Sequence, residues 1–213
     1  MIQCRGIWLP SHEEHLLPHI EGSPIIDGAG TYQYAKLEMA LRHVKQFRVA
    51  VDIGAHVGLW SRVLASRFDR VEAFEPMPEH RDCFVLNVAA DNVSLHDCAL
   101  GASEAEARMT IFHGNSGHSH VADGGEVVVP MLTLDSFGLE DVDFCKIDVE
   151  GYERNVILGA IDTLKRCKPT LIVEQKPRNG SRYGHGDHGA LRLLERLGAK
   201  TVAQKAGDYV MVW

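Results

Sequence analysis

The segment VDIGAHVGLWS (Val51–Ser61) joins a short apolar run to a turn with two glycines and the start of an amphipathic helix. Val49 to Ile53 are mostly the apolar, β-branched residues expected in a buried parallel strand. Asp52 interrupts this run near its carboxyl end, where open α/β sheets place their ligand sites. Gly54 and Gly58 permit positive φ and a close approach of a ligand to the backbone. The segment therefore predicts a strand, a ligand-binding turn and a helix.

The glycine spacing in this turn separates two classes of cofactor. A dinucleotide-binding loop carries G-x-G-x-x-G after its strand. Here Gly54 is followed by Ala55 and His56, so the second glycine, which admits a pyrophosphate, is absent. The carboxylate of Asp52 would repel a phosphate and suits a ligand with positive charge. The pattern disfavours a dinucleotide, and a strand–turn–helix unit without a ligand is the remaining alternative.

The composition is that of a soluble globular protein with one sizeable core. Of the 213 residues, 45% are hydrophobic and 24% are charged, and the net charge is −7. A negative chain disfavours the basic face that a duplex nucleic-acid binder needs. No apolar run reaches the roughly 20 residues of a membrane span, and the five scattered cysteines suit a reducing compartment. We expect a cytoplasmic protein with neither a membrane nor a duplex nucleic acid as partner.

A second predicted strand, Val71–Glu75, ends on an acid. Glu75 follows Asp52 at about the spacing of 20 residues expected for the acid that binds ribose hydroxyls. An ionised carboxylate only accepts hydrogen bonds, and a ribose diol offers two donors. The spacing indicates a cofactor that contains a nucleoside, with an ordinary strand-end acid as the alternative. In the third predicted strand, Val93–Leu100, Asp97 either accepts a bond from an adenine amino group or is a turn residue.

A long polar loop, residues 113–125, lies between two predicted β segments, Ala107–Phe112 and Glu126–Pro130. Loops of this length inside a compact domain are often functional. The loop contains His118 and His120, and an imidazole can remove a proton near neutral pH. Each is a candidate catalytic base, and a solvated loop histidine is the alternative for both.

Two later strands also end on acids. Phe144–Val149 is predicted as a central strand with Asp148 and Glu150 at its carboxyl end, and Thr170–Glu174 is a further strand. Carboxylates beside a tight turn are costly unless they are paired or functional. Lys146 shares a face with both acids of the central strand and could neutralise one of them.

The alternation of strands and helices predicts an α/β fold with a doubly wound, mostly parallel sheet, closed by a hairpin of residues 200–213. The carboxyl ends of parallel strands meet at one edge of the sheet, outside which such folds bind ligands. The acids at four strand ends should therefore converge on one site: Asp52, Glu75, Asp148 and Glu174.

Five segments occur in an order that resembles the FkbM family of S-adenosylmethionine-dependent methyltransferases: VDIGAHVG (51–58), AFEPMPE (73–79), CALG (98–101), TLDSF (133–137) and KIDVEGYE (146–153). The resemblance spans roughly Tyr34 to Pro177. It implies the class I methyltransferase fold, a seven-stranded sheet whose last strand is antiparallel. It also implies methyl transfer from S-adenosylmethionine, mostly to hydroxyl groups of sugars or other small molecules. Residues 34–213 would form the methyltransferase domain, and residues 1–33 an N-terminal arm or an extension on the substrate side.

The resemblance also implies roles in cofactor binding. Gly54 and Gly58 would face the methionine part of S-adenosylmethionine, and Asp52 would support the loop and the ammonium group. Glu75 would hold the ribose. The implied cofactor-binding set is Asp52, Gly54, Ala55, Gly58, Glu75 and, at the adenine, Asp97.

An alcohol holds its proton tightly, so methyl transfer to a hydroxyl group is helped by a base or a metal ion. Asp148 is the favoured base because its strand end lies beside the cofactor, and the other candidates are Glu150, Glu174, His118 and His120. A divalent metal held by the carboxylates ranks second, and no resident metal is predicted. The rival functions are a catalytically silent binding module with this fold and a nicotinamide-dependent oxidoreductase.

Overall fold

The computed structural model describes residues 1–176 and 178–213, so Pro177, the last residue of the resemblance, lies outside the described residues. Its strands are β1 (Ile2–Cys4), β2 (Ile7–Leu9), β3 (Val49–Ile53), β4 (Arg70–Phe74), β5 (Val93–His96), β6 (Ala99–Leu100), β7 (Ala105–Met109), β8 (Val127–Leu132), β9 (Val142–Ile147), β10 (Thr170–Glu174), β11 (Lys200–Lys205) and β12 (Asp208–Val212). Its α-helices are α1 (Leu16–Glu21), α2 (Tyr34–Leu41), α3 (Leu59–Ala65), α4 (Pro78–Asn87), α5 (Glu153–Leu158), α6 (Ile161–Cys167) and α7 (Gly189–Leu197). Short 3₁₀ turns cover Ser116–His118, Asp135–Phe137 and Gly180–Tyr183.

Seven strands form the central sheet in the order β11–β12–β10–β9–β3–β4–β5. Strand β12 runs antiparallel to β10 and β11, and the other neighbours pair in parallel. Every residue of β3 and of β10 is buried, as expected for strands covered by helices on both faces. This confirms the predicted doubly wound, mostly parallel sheet of seven strands whose last strand is antiparallel.

Helices cover both faces of this sheet. Val51 and Ile53 of β3 pack with residues of α5, α6 and α7. Ala50, on the opposite face, packs with α2 and α3, because side chains alternate along a strand. The longest described helix, α4, has 10 residues, and no helix in the described ranges is long and apolar enough to cross a membrane. Strand β3 lies where the chain order reverses, which is the position at which open α/β sheets bind ligands.

The N-terminal residues pack against α3 and α4. The hairpin of β1 and β2, together with α1, buries Ile7 and Leu16 in one cluster with Leu59 of α3. The Asn87 side chain joins the two parts, because it accepts from the Trp8 backbone N–H at 2.7 Å and donates to the Trp8 carbonyl oxygen at 2.9 Å. The first thirty residues are therefore held against the helices that follow β3 and β4.

The third predicted strand, Val93–Leu100, is in fact two strands. Strand β5 ends at His96, which pairs with Phe74, the last residue of β4. The main sheet offers no partner beyond that point, so β6 pairs instead with Met131–Leu132 of β8. Strands β6, β8 and β7 form a separate sheet of three strands. The prediction of one continuous strand was wrong because the neighbouring strand is too short to support it.

Candidate active site

A cavity opens at the carboxyl edge of the sheet, at the ends of β3, β4, β9 and β10. The space between its lining atoms measures ≈ 1170 Å³, including the part open to solvent. Segments 15–16, 32–33 and 115–119 also contribute to the wall. Of the four predicted strand-end acids, Glu75, Asp148 and Glu174 line the cavity, whereas Asp52 is fully buried beside it.

The turn after β3 requires glycine at position 54 because the backbone that follows the neighbouring strand β9 lies so close. Gly54 has φ +76°, and a Cβ there would lie 1.9 Å from the carbonyl oxygen of Asp148. Gly58 has φ +84°, but a Cβ there would lie 2.5 Å from Val88 Cγ2, at the end of α4. Gly54 and Ala55 line the cavity, and Gly58 is not part of its lining. The structure therefore places Gly58 against α4 and outside the cavity lining, and its expected place facing the methionine part of a cofactor stays a prediction.

Asp52 and Lys146 form a buried ion pair across β3 and β9. The Lys146 Nζ lies 3.1 Å from Asp52 Oδ1 and 4.0 Å from Asp148 Oδ2. Nζ also donates to the Gly54 carbonyl oxygen at 2.7 Å, and Ser61 Oγ donates to Asp52 Oδ2 at 2.7 Å. Burial lowers the pKa of Lys146, but the two carboxylates outweigh it and hold that pKa above its usual value. Lys146 thus lies closer to Asp52 than to Asp148, the acid that follows its own strand. Through the hydrogen bond to Gly54, the ion pair of Asp52 and Lys146 also supports the glycine turn.

Glu75 is buried at the end of β4, and several donors already hold its carboxylate. The His56 backbone N–H donates to Oε2 at 2.8 Å, and the Met77 N–H donates to Oε1 at 2.9 Å. The His80 Nδ1 lies 3.0 Å from Oε1. Burial raises the pKa of Glu75, but His80 and the N–H donors outweigh it and lower that pKa below its usual value. Each carboxylate oxygen has two lone pairs, so Oε2 keeps one for a ligand hydroxyl.

Asp148, Glu150 and Glu174 bring their carboxylates together at the other strand ends. One oxygen of each lies within 4.8 Å of the other two, and among the described residues this is the one group of three acidic, histidine or cysteine side chains close enough to share a metal ion. Burial and the Asp148 carboxylate raise the pKa of Glu150 to about 7 and that of Glu174 to about 9. The Lys176 Nζ lies 2.8 Å from Glu174 Oε1 and 3.7 Å from Glu150 Oε1. Even beside this lysine, the cluster retains a proton near neutral pH.

The turn that carries Glu150 depends on a buried acid that sequence reasoning missed. The Gly151 N–H donates to Glu153 Oε1 at 2.8 Å, and Gln175 Nε2 donates to Glu153 Oε2 at 3.1 Å. Burial raises the pKa of Glu153 to about 7. The position of Glu153 two residues after a glycine, at the start of a helix, was the available signal, because acids often hold N–H groups at helix starts.

The remaining predicted site residues divide into one that lines the cavity and two that do not. His118 lines the cavity, and burial lowers its pKa. His120 is absent from the lining, and its Nδ1 lies 2.8 Å from the His118 carbonyl oxygen. Asp97 is exposed and outside the lining, although residues 98–100 line the cavity. The structure does not bring His120 or Asp97 to the site.

Residues 52–201 match the family model described as the Methyltransferase FkbM domain. This range is more than half of the chain and contains all the acids described above. The chain belongs to the FkbM methyltransferase family.

Two relatives align with this FkbM chain over only part of the relatives' own length. The AMB antimetabolite synthetase AmbE of Pseudomonas aeruginosa is 28% identical over 199 residues, which cover 70% of this chain and 9% of AmbE. Methyltransferase 1 of Beauveria bassiana is 26% identical over 156 residues, which cover 58% of this chain and 63% of the relative. The chain therefore spans less than two thirds of either relative.

Solved structures share the fold of this FkbM chain. Methyltransferase FkbM from Methylobacillus flagellatus KT has a TM-score of 0.53 at 18% identity, over 78% of this chain and 44% of that chain. The N-methyltransferase NodS from Bradyrhizobium japonicum WM9, in complex with S-adenosyl-L-homocysteine, has a TM-score of 0.50 at 13% identity, over 84% and 85% of the two chains. At these identities the similarity concerns the fold alone.

Part of the cavity wall in this FkbM chain comes from outside the family match. The Gly114 carbonyl oxygen accepts from the N–H groups of Glu14 and His15 at 3.1 and 3.0 Å. Glu13 is 1% exposed, and its carboxylate accepts from the Ser116 N–H at 2.8 Å and from the Ser116 hydroxyl. We call residues 12–16 and 113–118 together the cover. His15 and Ser116 line the cavity, so the cover forms one of its walls.

A chain of polar contacts connects the cover to Glu75. The His56 Nε2 lies 2.7 Å from Ser116 Oγ, and the backbone N–H of His56 donates to Glu75. Burial lowers the pKa of His56 well below its usual value. Because the Ser116 hydroxyl donates to Glu13, the contact is satisfied when Nε2 of His56 carries its hydrogen. Sequence reasoning missed Glu13, His56 and Ser116, since Glu13 and Ser116 are 103 residues apart and no local pattern relates them.

Proposed function

We propose that this chain transfers the methyl group of S-adenosylmethionine to a hydroxyl group of a small-molecule or carbohydrate acceptor. The observation that carries the proposal is a single cavity with the Glu75 carboxylate at one strand end and three clustered carboxylates at two others. The relative AmbE is named an antimetabolite synthetase, which supports a small-molecule acceptor. The net charge of −7 supports a partner other than duplex nucleic acid.

The residues of the cavity fit S-adenosylmethionine. The lone pair that Glu75 Oε2 retains would accept a hydrogen bond from a ribose hydroxyl. Phe74, Met77 and Leu100 also line the cavity and would supply apolar contacts for the adenine. Gly54, which has no Cβ, would let the methionine part approach the backbone. When bound, the cofactor supplies a methyl group that is already activated by its sulfonium sulfur.

The residues of the chain then align the acceptor oxygen and remove its proton. Asp148 lines the cavity, and its carboxylate receives no hydrogen bond from the described part of the chain. Glu150 and Glu174, which retain a proton between them near neutral pH, would instead donate a hydrogen bond to the acceptor. We therefore assign the base to Asp148. A divalent ion held by the three carboxylates, which would polarise the hydroxyl, is the second arrangement.

Calorimetric titration with S-adenosylmethionine and, separately, with NAD tests the cofactor. The proteins are wild type, Glu75→Ala and, as a matched control, Glu106→Ala, which removes an exposed acid of β7. We expect binding of S-adenosylmethionine alone, weakened at least about tenfold in Glu75→Ala and unchanged in the control, because a buried hydrogen-bond acceptor is lost. No binding to well-folded wild type would overturn the assignment, and binding of NAD instead would favour the oxidoreductase.

Mass spectrometry over a panel of sugars and hydroxylated small molecules tests the reaction. We expect one acceptor to gain the mass of a methylene unit, because a methyl group replaces the hydroxyl hydrogen, in the presence of S-adenosylmethionine, with or without a chelator. Transfer that stops when the chelator is added would favour the arrangement with a divalent ion. Cofactor binding without transfer to any member of the panel would favour a catalytically silent binding module.

A further inference from the structure

Lys176 follows β10 by two residues and places its ammonium group in the cluster of carboxylates. Its Nζ lies 2.8 Å from Glu174 Oε1 and 3.7 Å from Glu150 Oε1, and the residue lines the cavity. One ammonium group therefore contacts two acids that come from different strand ends.

The other ammonium group near the cluster is already engaged. Lys146 Nζ lies 4.0 Å from Asp148 but 3.1 Å from Asp52, its direct neighbour across β3 and β9. Lys146 also donates to the carbonyl oxygen of Gly54 at 2.7 Å. Within the described ranges, Lys176 is the cation that lies within ion-pair distance of both glutamate carboxylates of the cluster, and Arg182 donates to the backbone carbonyl oxygen of Glu150 at 3.2 Å.

The cluster stays short of positive charge even with Lys176 in place. Glu174 is 2% exposed, and its Oε2 makes no hydrogen bond with the described residues. Buried carboxylates this close repel each other and must take up a proton or a cation. Removal of the Lys176 ammonium would increase that need.

The ammonium group of Lys176 already serves as a counter-ion to two of the three carboxylates. Its 2.8 Å distance to Glu174 Oε1 is typical of a charged N–H···O hydrogen bond, and Glu150 Oε1 lies 3.7 Å away. Since the three carboxylates lie close enough to share a metal ion, a divalent ion would compete with Lys176 for the same oxygens.

We propose that Lys176 is a positioning residue that takes the place of a divalent ion in this cluster. Its ammonium group holds the side chains of Glu150 and Glu174, so that Asp148 stays free for the acceptor hydroxyl. The consequence for catalysis rests on the proposed methyl transfer. The consequence for cation binding does not.

The electron paramagnetic resonance signal of free Mn²⁺ measures ion binding to the full chain at pH 8. We expect Lys176→Ala to bind one Mn²⁺ at least tenfold more tightly than wild type. Lys176→Arg should behave as wild type because it keeps a cation at this position. The double variant Lys176→Ala/Glu174→Gln should lose the gained binding, which would locate the ion in the cluster. Lys205→Ala, at an exposed position of β11, is the control and should leave Mn²⁺ binding unchanged.

Two results of this titration would overturn the proposal. One is wild type that binds Mn²⁺ as tightly as Lys176→Ala, because the lysine would then not occupy the ion's place. The other is a folded Lys176→Ala that gains no Mn²⁺ binding. Circular dichroism reports the folding of each variant, and Lys176→Met replaces Lys176→Ala if the alanine variant does not fold.

Catalysis gives a second, separable readout with an acceptor identified by the panel. Lys176→Ala should lower kcat at least tenfold while the Kd for S-adenosylmethionine stays within threefold, and Lys176→Arg should restore most of kcat. Unchanged kcat in Lys176→Ala would overturn the positioning role. If wild type transfers no methyl group, the proposed function fails, and the Mn²⁺ titration still decides whether the lysine replaces an ion.

Discussion

Glu75 and Glu174 stand at the same edge of one sheet, yet their surroundings are opposite. Both are buried, at 4% and 2% exposure. Glu75 accepts two backbone N–H groups and contacts His80, and its pKa is lowered. The Glu174 carboxylate is ion-paired with Lys176 and lies beside two other carboxylates, its Oε2 makes no hydrogen bond with the described residues, and its pKa is raised to about 9. We call the surroundings of Glu75 the proposed cofactor end of the cavity and those of Glu174 the proposed acceptor end. The difference teaches that hydrogen bonds within the protein already hold the cofactor end in place, whereas the acceptor end is left to be completed by what binds there.

The largest effect on catalysis is expected from Asp148→Asn, which changes the proposed acceptor end and leaves the proposed cofactor end, around Glu75, unchanged. The amide keeps the shape of the side chain but cannot take a proton. We expect kcat to fall by about 10²–10⁴, the usual contribution of a general base, while the Kd for S-adenosylmethionine changes by less than about threefold. Single-turnover methyl transfer and calorimetry measure the two quantities. Retention of wild-type kcat would show that Asp148 is not the base, and His118→Ala is the next variant to assay.

A paired substitution then compares the two ends directly. Glu75→Gln should weaken S-adenosylmethionine by about 10–100-fold, because the amide replaces one buried acceptor oxygen by a donor that faces N–H groups. Glu174→Gln should change that affinity by less than about threefold and act on the acceptor step instead. Equal losses of cofactor affinity in the two variants would show that the division into two ends is wrong. Calorimetry measures both Kd values.

The two glutamates should also affect stability with opposite dependence on pH. The lowered pKa of Glu75 means that its contribution is present above the unfolded pKa, near 4.5, and is lost as the pH falls through the folded pKa. The pKa of Glu174 is raised from 4.5 to about 9, so its ionisation costs stability increasingly as the pH rises through that window.

At pH 8 we therefore expect the free energy of unfolding to be about 1–2 kcal/mol higher in Glu174→Gln than in wild type. In Glu75→Gln it should be about 1–2 kcal/mol lower than in wild type. At pH 4 the gain in Glu174→Gln should vanish. Urea unfolding at the two pH values measures these free energies. A Glu174→Gln variant that is less stable than wild type at pH 8 would contradict the raised pKa.

The smallest effect is expected from Asp97→Asn. Asp97 is exposed and outside the cavity lining, so the affinity for S-adenosylmethionine should change by less than about threefold. Calorimetry under the conditions used for Glu75→Gln makes the comparison. A loss as large as that of Glu75→Gln would restore the adenine role expected from the sequence and would require Asp97 to turn toward the cavity when the cofactor binds.

The convergence of Glu75, Asp148 and Glu174 could be predicted from the sequence because it depends only on strand direction. Parallel strands bring their carboxyl ends to one edge whatever the loops do, and each of these acids follows or ends a recognisable apolar run. The sheet itself was predictable for the same reason. Gly58, which lies outside the cavity lining, shows the limit: its positive φ explains why a glycine is needed, but which residues lie beside it depends on how α4 packs.

The cover could not be predicted, since it is made by contacts between distant polar residues. Glu13 and Ser116 lie in segments without apolar periodicity. Their pairing depends on how the segment after the β1–β2 hairpin packs against the loop of residues 113–125. His56 lies inside the best-recognised turn, but its role as a link between Ser116 and Glu75 emerges only in three dimensions. Burial of Glu13 is a tertiary property that composition does not report.

The ion pair of Asp52 and Lys146 has a consequence for how the chain folds. It joins the two halves of the sheet: β3, β4 and β5 form from neighbouring segments, whereas Lys146 is 93 residues from Ile53, whose carbonyl oxygen it contacts. Pairings between such distant residues form slowly, because loop-closure entropy is lost before contacts compensate for it. Residues of both halves line the cavity, so we expect a refolding chain to gain the proposed affinity for S-adenosylmethionine no earlier than the pairing of β3 with β9.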